Sequence, residues 1–124
     1  MGKRQIPAQH DRLVSYLAGY LRMEGYEEIC ADIDGYEKPM WVPIRKTGKS
    51  ETPDLTCYKK QFHVFEVETE DSIVDRHTSE EWRLFASYAQ EEGGTFWVAV
   101  PQGCEEQARE QIKKMEIEAW VWSI

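Results

Sequence analysis

The feature that most constrains the fold of this chain is the stretch of residues 52–71. Two short runs within it, 55–58 and 62–67, are rich in β-branched and aromatic side chains and flank the polar residues 59–61. This pattern is typical of a β-hairpin. The second run is apolar at both odd and even positions, which predicts an inner strand with both faces covered.

Carboxylates stand where the two strands of this hairpin would meet. Asp54 directly follows Pro53 and opens the first strand, and Glu66 and Glu68 close the second. Side chains two positions apart on a strand share a face, so Glu66 and Glu68 point the same way, roughly 7 Å apart. Converging carboxylates repel one another unless a cation or a proton lies among them. A hard divalent ion such as Mg²⁺, which takes oxygen ligands and retains waters, suits this arrangement.

Pro53-Asp54 followed by Glu66-Val67-Glu68 resembles the motif of the PD-(D/E)XK nuclease superfamily, which has the restriction-endonuclease-like fold. In that family the hairpin carries Pro-Asp on one strand and (Asp/Glu)-x-Lys on the next. Glu68 stands where the family usually has lysine, although a minority of restriction enzymes with this fold carry glutamate there.

The resemblance implies metal-dependent hydrolysis of DNA phosphodiester bonds. Asp54 and Glu66 would hold a Mg²⁺ or Mn²⁺ ion, with the backbone carbonyl of Val67 as a third ligand. The ion would lower the pKa of a bound water and stabilise charge on the scissile phosphate. Glu68 would accept a proton from the attacking water or help to hold a second ion.

Two other interpretations stay open. In one, the fold persists without chemistry and the chain is a catalytically inactive module that binds a partner protein or nucleic acid. In the other, Glu66, Glu68 and Glu70 are only the solvated outer face of an edge strand. Mn²⁺ binding through Asp54 and a basic rim around the site would distinguish an enzyme from a binding module.

Auxiliary residues and two basic clusters accompany the motif. His77 would lie near a helix start as a base or phosphate contact, and Arg83 on that helix would supply the positive charge that lysine normally gives. Nucleic-acid contacts would come from the basic clusters beside the motif strands, which comprise Arg45, Lys46, Lys49, Lys59 and Lys60.

The first helix offers further candidates for the site. Many family members add an acid from this helix, and Asp11 or Glu24 would serve here, although no sequence feature selects either. His10 and His63 carry no feature that assigns them to the site.

Composition limits the classes of protein to which the chain can belong. Its 124 residues predict one domain over residues 1–124. The net charge of −8 argues against nucleic-acid binding by bulk electrostatics, so a nuclease would have to concentrate its basic residues locally. The three widely spaced cysteines predict free thiols in a reducing cytoplasm. No apolar run approaches the roughly 20 residues that cross a bilayer, so we expect no membrane span.

Hydrophobic periodicity predicts three helices and five principal strands. The predicted order is helix 9–23, strand 26–33, hairpin strands 55–58 and 62–67, helix 79–92, strand 95–100, helix 104–115 and strand 117–124. Thr78 or Ser79 would cap the second helix. A short extended piece is expected at 40–44. This α-β-β-β-α-β-α-β order predicts a single α/β domain whose central mixed sheet of about five strands is flanked by helices, and its first six elements match the common core of the nuclease family. Trp120 and Trp122 would expose an apolar face if the last strand is an edge, which favours a homodimer.

Overall fold

A computed structural model describes residues 7–124 as a single α/β domain. Within that range the chain forms three helices and seven strands. They are α1 Pro7–Met23, β1 Glu27–Ala31, β2 Val42–Ile44, β3 Lys49–Glu51, β4 Leu55–Lys59, β5 Gln61–Val67, α2 Arg76–Glu91, β6 Thr95–Val100, α3 Glu105–Met115 and β7 Trp120–Ser123.

Five of the strands form one mixed sheet in the order β1-β4-β5-β6-β7. The neighbours β1, β4 and β5 are antiparallel, whereas β6 and β7 run parallel to β5. Each parallel connection is a helical crossover, through α2 and then α3, as parallel strands require. The predicted α/β class, mixed sheet and three helices are confirmed.

Helices cover both faces of the sheet and make two cores. On one face α1 packs its buried side chains against β4 and β5; this cluster includes Val14, Leu17, Leu21, Leu55, Phe65 and Val67. On the other face α2 and α3 pack against β5 and β6; this cluster includes Val64, Trp82, Phe85, Phe96, Val98 and Ala108. β5 is therefore buried on both sides, as its apolar residues at both odd and even positions predicted.

Two local features differ from the sequence-based expectation. The helix α2 begins at Arg76, and its N-cap is Asp75, whose side chain accepts a hydrogen bond from the backbone N–H of His77 at 2.8 Å. The predicted caps Thr78 and Ser79 lie inside the helix, because a capping carboxylate three residues earlier satisfies the first free N–H groups. The segment before the motif forms a complete small hairpin, β2–β3, where only one extended piece was predicted.

None of the helices within residues 7–124 is both long enough and apolar enough to cross a membrane.

Candidate metal centre

Asp54 and Glu66 meet where β4 begins and β5 ends. The antiparallel register pairs Leu55 with Phe65, which brings the preceding Asp54 opposite Glu66. The backbone N–H of Asp54 donates to Glu66 Oε1 at 2.9 Å, and the backbone N–H of Val67 donates to Asp54 Oδ2 at 2.8 Å. These reciprocal hydrogen bonds hold both side chains at the carboxyl end of β5, the end of a parallel strand at which ligands bind in open α/β sheets.

Burial and neighbouring charges act strongly on Glu66. The side chain is almost fully buried. Burial raises the pKa of Glu66 well above 4.5, and the negative charges of Asp54, Glu81 and Glu68 raise it further, while the hydrogen bond from the Asp54 backbone opposes them. A divalent cation would favour the ionised form of such a carboxylate, because it would replace repulsion with attraction.

His10 of α1 contacts Asp54 from the face of the sheet that α1 covers. Its Nε2 lies 3.0 Å from Asp54 Oδ2. Burial lowers the pKa of His10, but the hydrogen bond and charge of Asp54 outweigh it, with smaller contributions from Asp11 and Glu68, so that the pKa rises from 6.5 to about 9. The imidazolium is therefore a partly buried positive charge beside the motif aspartate, in a protein whose net charge is −8.

Glu68, which stands at the usual lysine position, is fully buried on the α2 side of the sheet. Ser72 Oγ donates to Glu68 Oε1 at 2.6 Å, and Trp82 Nε1 donates to Oε2 at 2.9 Å. Both oxygens therefore accept hydrogen bonds that tie the β5–α2 connection and α2 to the sheet. These contacts support an anchoring role, and the proton-accepting role expected for Glu68 stays a prediction that they disfavour.

The two auxiliary residues, His77 and Arg83, both lie on α2 and both have exposed side chains. His77 is half-exposed in the first turn, and its Nε2 lies 3.4 Å from Glu81 Oε2 and 4.0 Å from Glu51 Oε2. Arg83 is exposed farther along the same helix. His77 thus faces a carboxylate cluster that adjoins Glu66 through Glu81, while the role expected for Arg83 stays a prediction.

Neither basic cluster adjoins Asp54. Lys59 and Lys60 lie at the opposite end of the β4–β5 hairpin, five residues or roughly 16 Å along the strand from Asp54. Lys59 Nζ donates there to the backbone carbonyl of Glu24 at 2.7 Å. Glu24 is accordingly at the far end of α1, whereas Asp11 lies beside His10 near the carboxylates.

The other cluster occupies the tip of the β2–β3 hairpin. Arg45 Nη2 lies 3.6 Å from Glu91 Oε2 at the end of α2, ten residues or roughly 15 Å from Glu81. Lys46 and Lys49 are exposed near it. These five basic residues therefore do not form the basic rim around Asp54 and Glu66 that is expected of a nuclease.

Sequence reasoning missed His10, Glu51 and Glu81. His10 sits in the first turns of α1, and only the packing of that helix against β4 reveals its contact with Asp54. A signal existed for Glu81, because it follows His77 by four residues and shares its face of a helix. Glu51 had no such signal, because β3 was not predicted.

Comparison of the chain with protein-family models, curated proteins and solved structures finds no match.

Proposed function

We propose that this chain is a divalent-metal-dependent hydrolase of DNA phosphodiester bonds, with Asp54 and Glu66 as the ligands of a Mg²⁺ or Mn²⁺ ion. The observation that carries the proposal is the reciprocal Asp54–Glu66 arrangement at the carboxyl end of β5, with His10 at 3.0 Å. A buried pair of carboxylates is a donor set that suits a hard divalent cation.

The two carboxylates fit such an ion through their remaining oxygens. The backbone hydrogen bonds engage Oδ2 of Asp54 and Oε1 of Glu66, which orients Oδ1 and Oε2 as candidate ligand atoms. The carbonyl of Val67 is the third ligand that the family resemblance implies. When bound, the ion would activate a water and stabilise the charge of the phosphate.

The chain's own residues would orient the site and balance its charge. His10 holds Asp54 from the α1 side and contributes positive charge where the family has a lysine. Ser72 and Trp82 fix the orientation of Glu68, whose negative charge acts on both Glu66 and His10.

The order of elements also supports this assignment. The core α1, β1, β4, β5, α2 and β6 follows the α-β-β-β-α-β order of the restriction-endonuclease-like fold, with β2–β3 as an insertion between the first two sheet strands. We propose that the domain has this topology.

A second candidate is a catalytically inactive module on the same fold that binds a partner protein or nucleic acid. The buried Glu68 favours it, because both oxygens of this residue already accept hydrogen bonds from Ser72 and Trp82. The remote basic clusters favour it as well, since a cleaved strand would need cations near the carboxylates.

The experiment that separates the two is cleavage of supercoiled, linear and branched DNA with Mg²⁺ or Mn²⁺, comparing the natural chain with Asp54→Asn. We expect metal-dependent cleavage that falls by about 100-fold or more in Asp54→Asn, because one metal ligand loses its charge. Thermal unfolding would show that the variant folds.

Asp71→Asn is the matched control, because it removes an exposed carboxylate from the connection after β5. It should cleave at the natural rate. Absence of cleavage on all three substrates, or equal cleavage by Asp54→Asn, would overturn the proposal and favour the inactive module.

A further inference from the structure

We propose that Glu51, His77 and Glu81 form a separate cation site that takes a transition-metal ion of the Zn²⁺ type and fastens the β2–β3 hairpin to the start of α2. This inference goes beyond the proposed function, because it requires neither cleavage nor a metal at Asp54. The three ligand atoms, one from each side chain, all lie within 4.8 Å of one another.

The spacing of these atoms is close to that of a bound ion's ligands. Two ligands about 2.0 Å from a tetrahedral Zn²⁺ ion are roughly 3.3 Å apart. His77 Nε2 and Glu81 Oε2 are already 3.4 Å apart, and Glu51 Oε2 lies 4.0 Å from the same nitrogen. Glu51 Oε2 would have to approach His77 Nε2 by roughly 0.7 Å to reach that spacing.

The backbone presents all three ligands from ordered elements. Asp75 caps α2, so the first turn is formed and His77 and Glu81, four residues apart, share one face. Glu51 is positioned by its pairing with Val42, which is buried in the core cluster that includes the α2 side chains. The site therefore joins an inserted hairpin to the main domain.

The surroundings of His77 are those of a metal ligand. Its Nε2 faces the two ligand carboxylates, while its Nδ1 lies 3.9 Å from Glu80 Oε1. A metal-bound histidine generally directs its other ring nitrogen to a carboxylate, carbonyl or water, which orients the ring. Glu80 lies on the Nδ1 side of the ring, although 3.9 Å is longer than a hydrogen bond.

The exposure of the ligands fits a site with one open side. The exposed fraction of the side chain is 9% for Glu81, 29% for Glu51 and 47% for His77. The ion would have three protein ligands on its inner side and water on its outer side, a coordination that Zn²⁺ adopts readily. Because one ligand is an imidazole, the site should prefer Zn²⁺ to Mg²⁺, which favours oxygen.

Charge in the neighbourhood also favours a cation here. Burial and the charge of Asp54 are the two largest causes that raise the pKa of Glu66, and the negative charge of Glu81 is the third. A cation bound to Glu81 would reduce this repulsion.

The test is isothermal titration calorimetry of metal-stripped protein with Zn²⁺, in excess Mg²⁺ so that oxygen-only sites are filled. We expect one Zn²⁺ per chain, and binding weakened by about tenfold or more in His77→Gln, because a ligand is lost. Glu51→Gln should weaken it as well. Both positions are at least partly exposed, so these variants should fold, which circular dichroism would verify.

A control isolates the site. Glu110→Gln removes an exposed carboxylate from α3 and should bind Zn²⁺ as the natural chain does. No Zn²⁺ binding by the natural chain, or equal binding by His77→Gln, would overturn the inference and leave a simple ion-pair cluster. Zn²⁺ binding without DNA cleavage would refute the proposed function alone.

Discussion

At the scale of the residue, the candidate centre depends on how single carboxylates are held. Asp54 and Glu66 each accept a backbone N–H of the other strand, and His10 adds a positive charge. Glu68 is held differently, because its two oxygens accept hydrogen bonds from the side chains of Ser72 and Trp82. Glu66 and Glu68, two apart in sequence and both buried, therefore differ in their hydrogen-bond partners.

His10 makes the stability of the protein depend on pH. Its folded pKa of about 9 exceeds its ordinary value of 6.5, so the folded state binds this proton more tightly than the unfolded state does. The stabilisation should be complete below pH 6.5 and should disappear as the pH rises through about 9. We expect the free energy of unfolding of the natural chain to exceed that of His10→Gln at pH 6, and the difference to shrink towards pH 9.5.

Urea unfolding of both proteins in EDTA, at several pH values, measures this difference directly. The titration of Glu66 is common to the two proteins, so it largely cancels in the comparison. A difference that stays constant between pH 6 and pH 9.5 would show that Asp54 does not hold a proton on His10.

Among the elements, the pairing of the parallel strands β5 and β6 depends on how closely the turn after α2 approaches β5. Gly94 lies directly before β6, and a Cβ at this position would be 2.3 Å from the backbone oxygen of Phe62. Thr95 then pairs with His63 to begin the parallel ladder. A glycine is required here because the obstacle is backbone, which cannot rotate away.

Gly94→Ala should therefore destabilise the protein by roughly 1–3 kcal/mol, because the strands must separate to relieve the clash. Chemical denaturation measures the loss. Gly19→Ala is the matched control, since a Cβ there meets nothing within 4 Å and alanine is the better helix former. The control should stabilise α1 by about 0.5–1 kcal/mol, and equal effects of the two substitutions would contradict the packing argument.

At the scale of the whole molecule, the sheet leaves β7 as an edge strand. Trp120 on this strand is 59% exposed, and Tyr16 and Tyr20 of α1 are exposed as well, with the Tyr20 ring 6.2 Å from that of Trp122. An open edge beside exposed aromatic side chains favours association of two copies. The charge of −8 on each copy opposes it.

We accordingly expect a dimer whose population increases with salt, because salt screens the repulsion between two acidic copies. In sedimentation velocity, Trp120→Lys should shift the sedimentation coefficient towards that of the monomer. Trp41→Lys, which alters another exposed tryptophan, should leave it unchanged. Monomeric behaviour of the natural chain at all salt concentrations would contradict the homodimer.

Elements with local signals could be predicted from the amino-acid sequence alone. The apolar residues on both faces of β5, the apolar run of β6, the helical periodicity around Trp82 and Phe85 and the glycines after α2 predicted the hairpin, the second helix and the parallel strands, because these patterns follow from burial and backbone geometry. The hairpin also brought Asp54 opposite Glu66, since antiparallel pairing leaves little freedom of register.

The other groups that meet those carboxylates could not be predicted, because they depend on tertiary packing. His10 reaches Asp54 because α1 packs across β4, and Glu51 reaches His77 because the inserted hairpin lies along α2. Both are contacts between residues distant in sequence, for which no local pattern exists. The burial of Glu68 likewise depends on the position of Trp82, because a carboxylate's environment is set by what packs over it rather than by its neighbours in the chain.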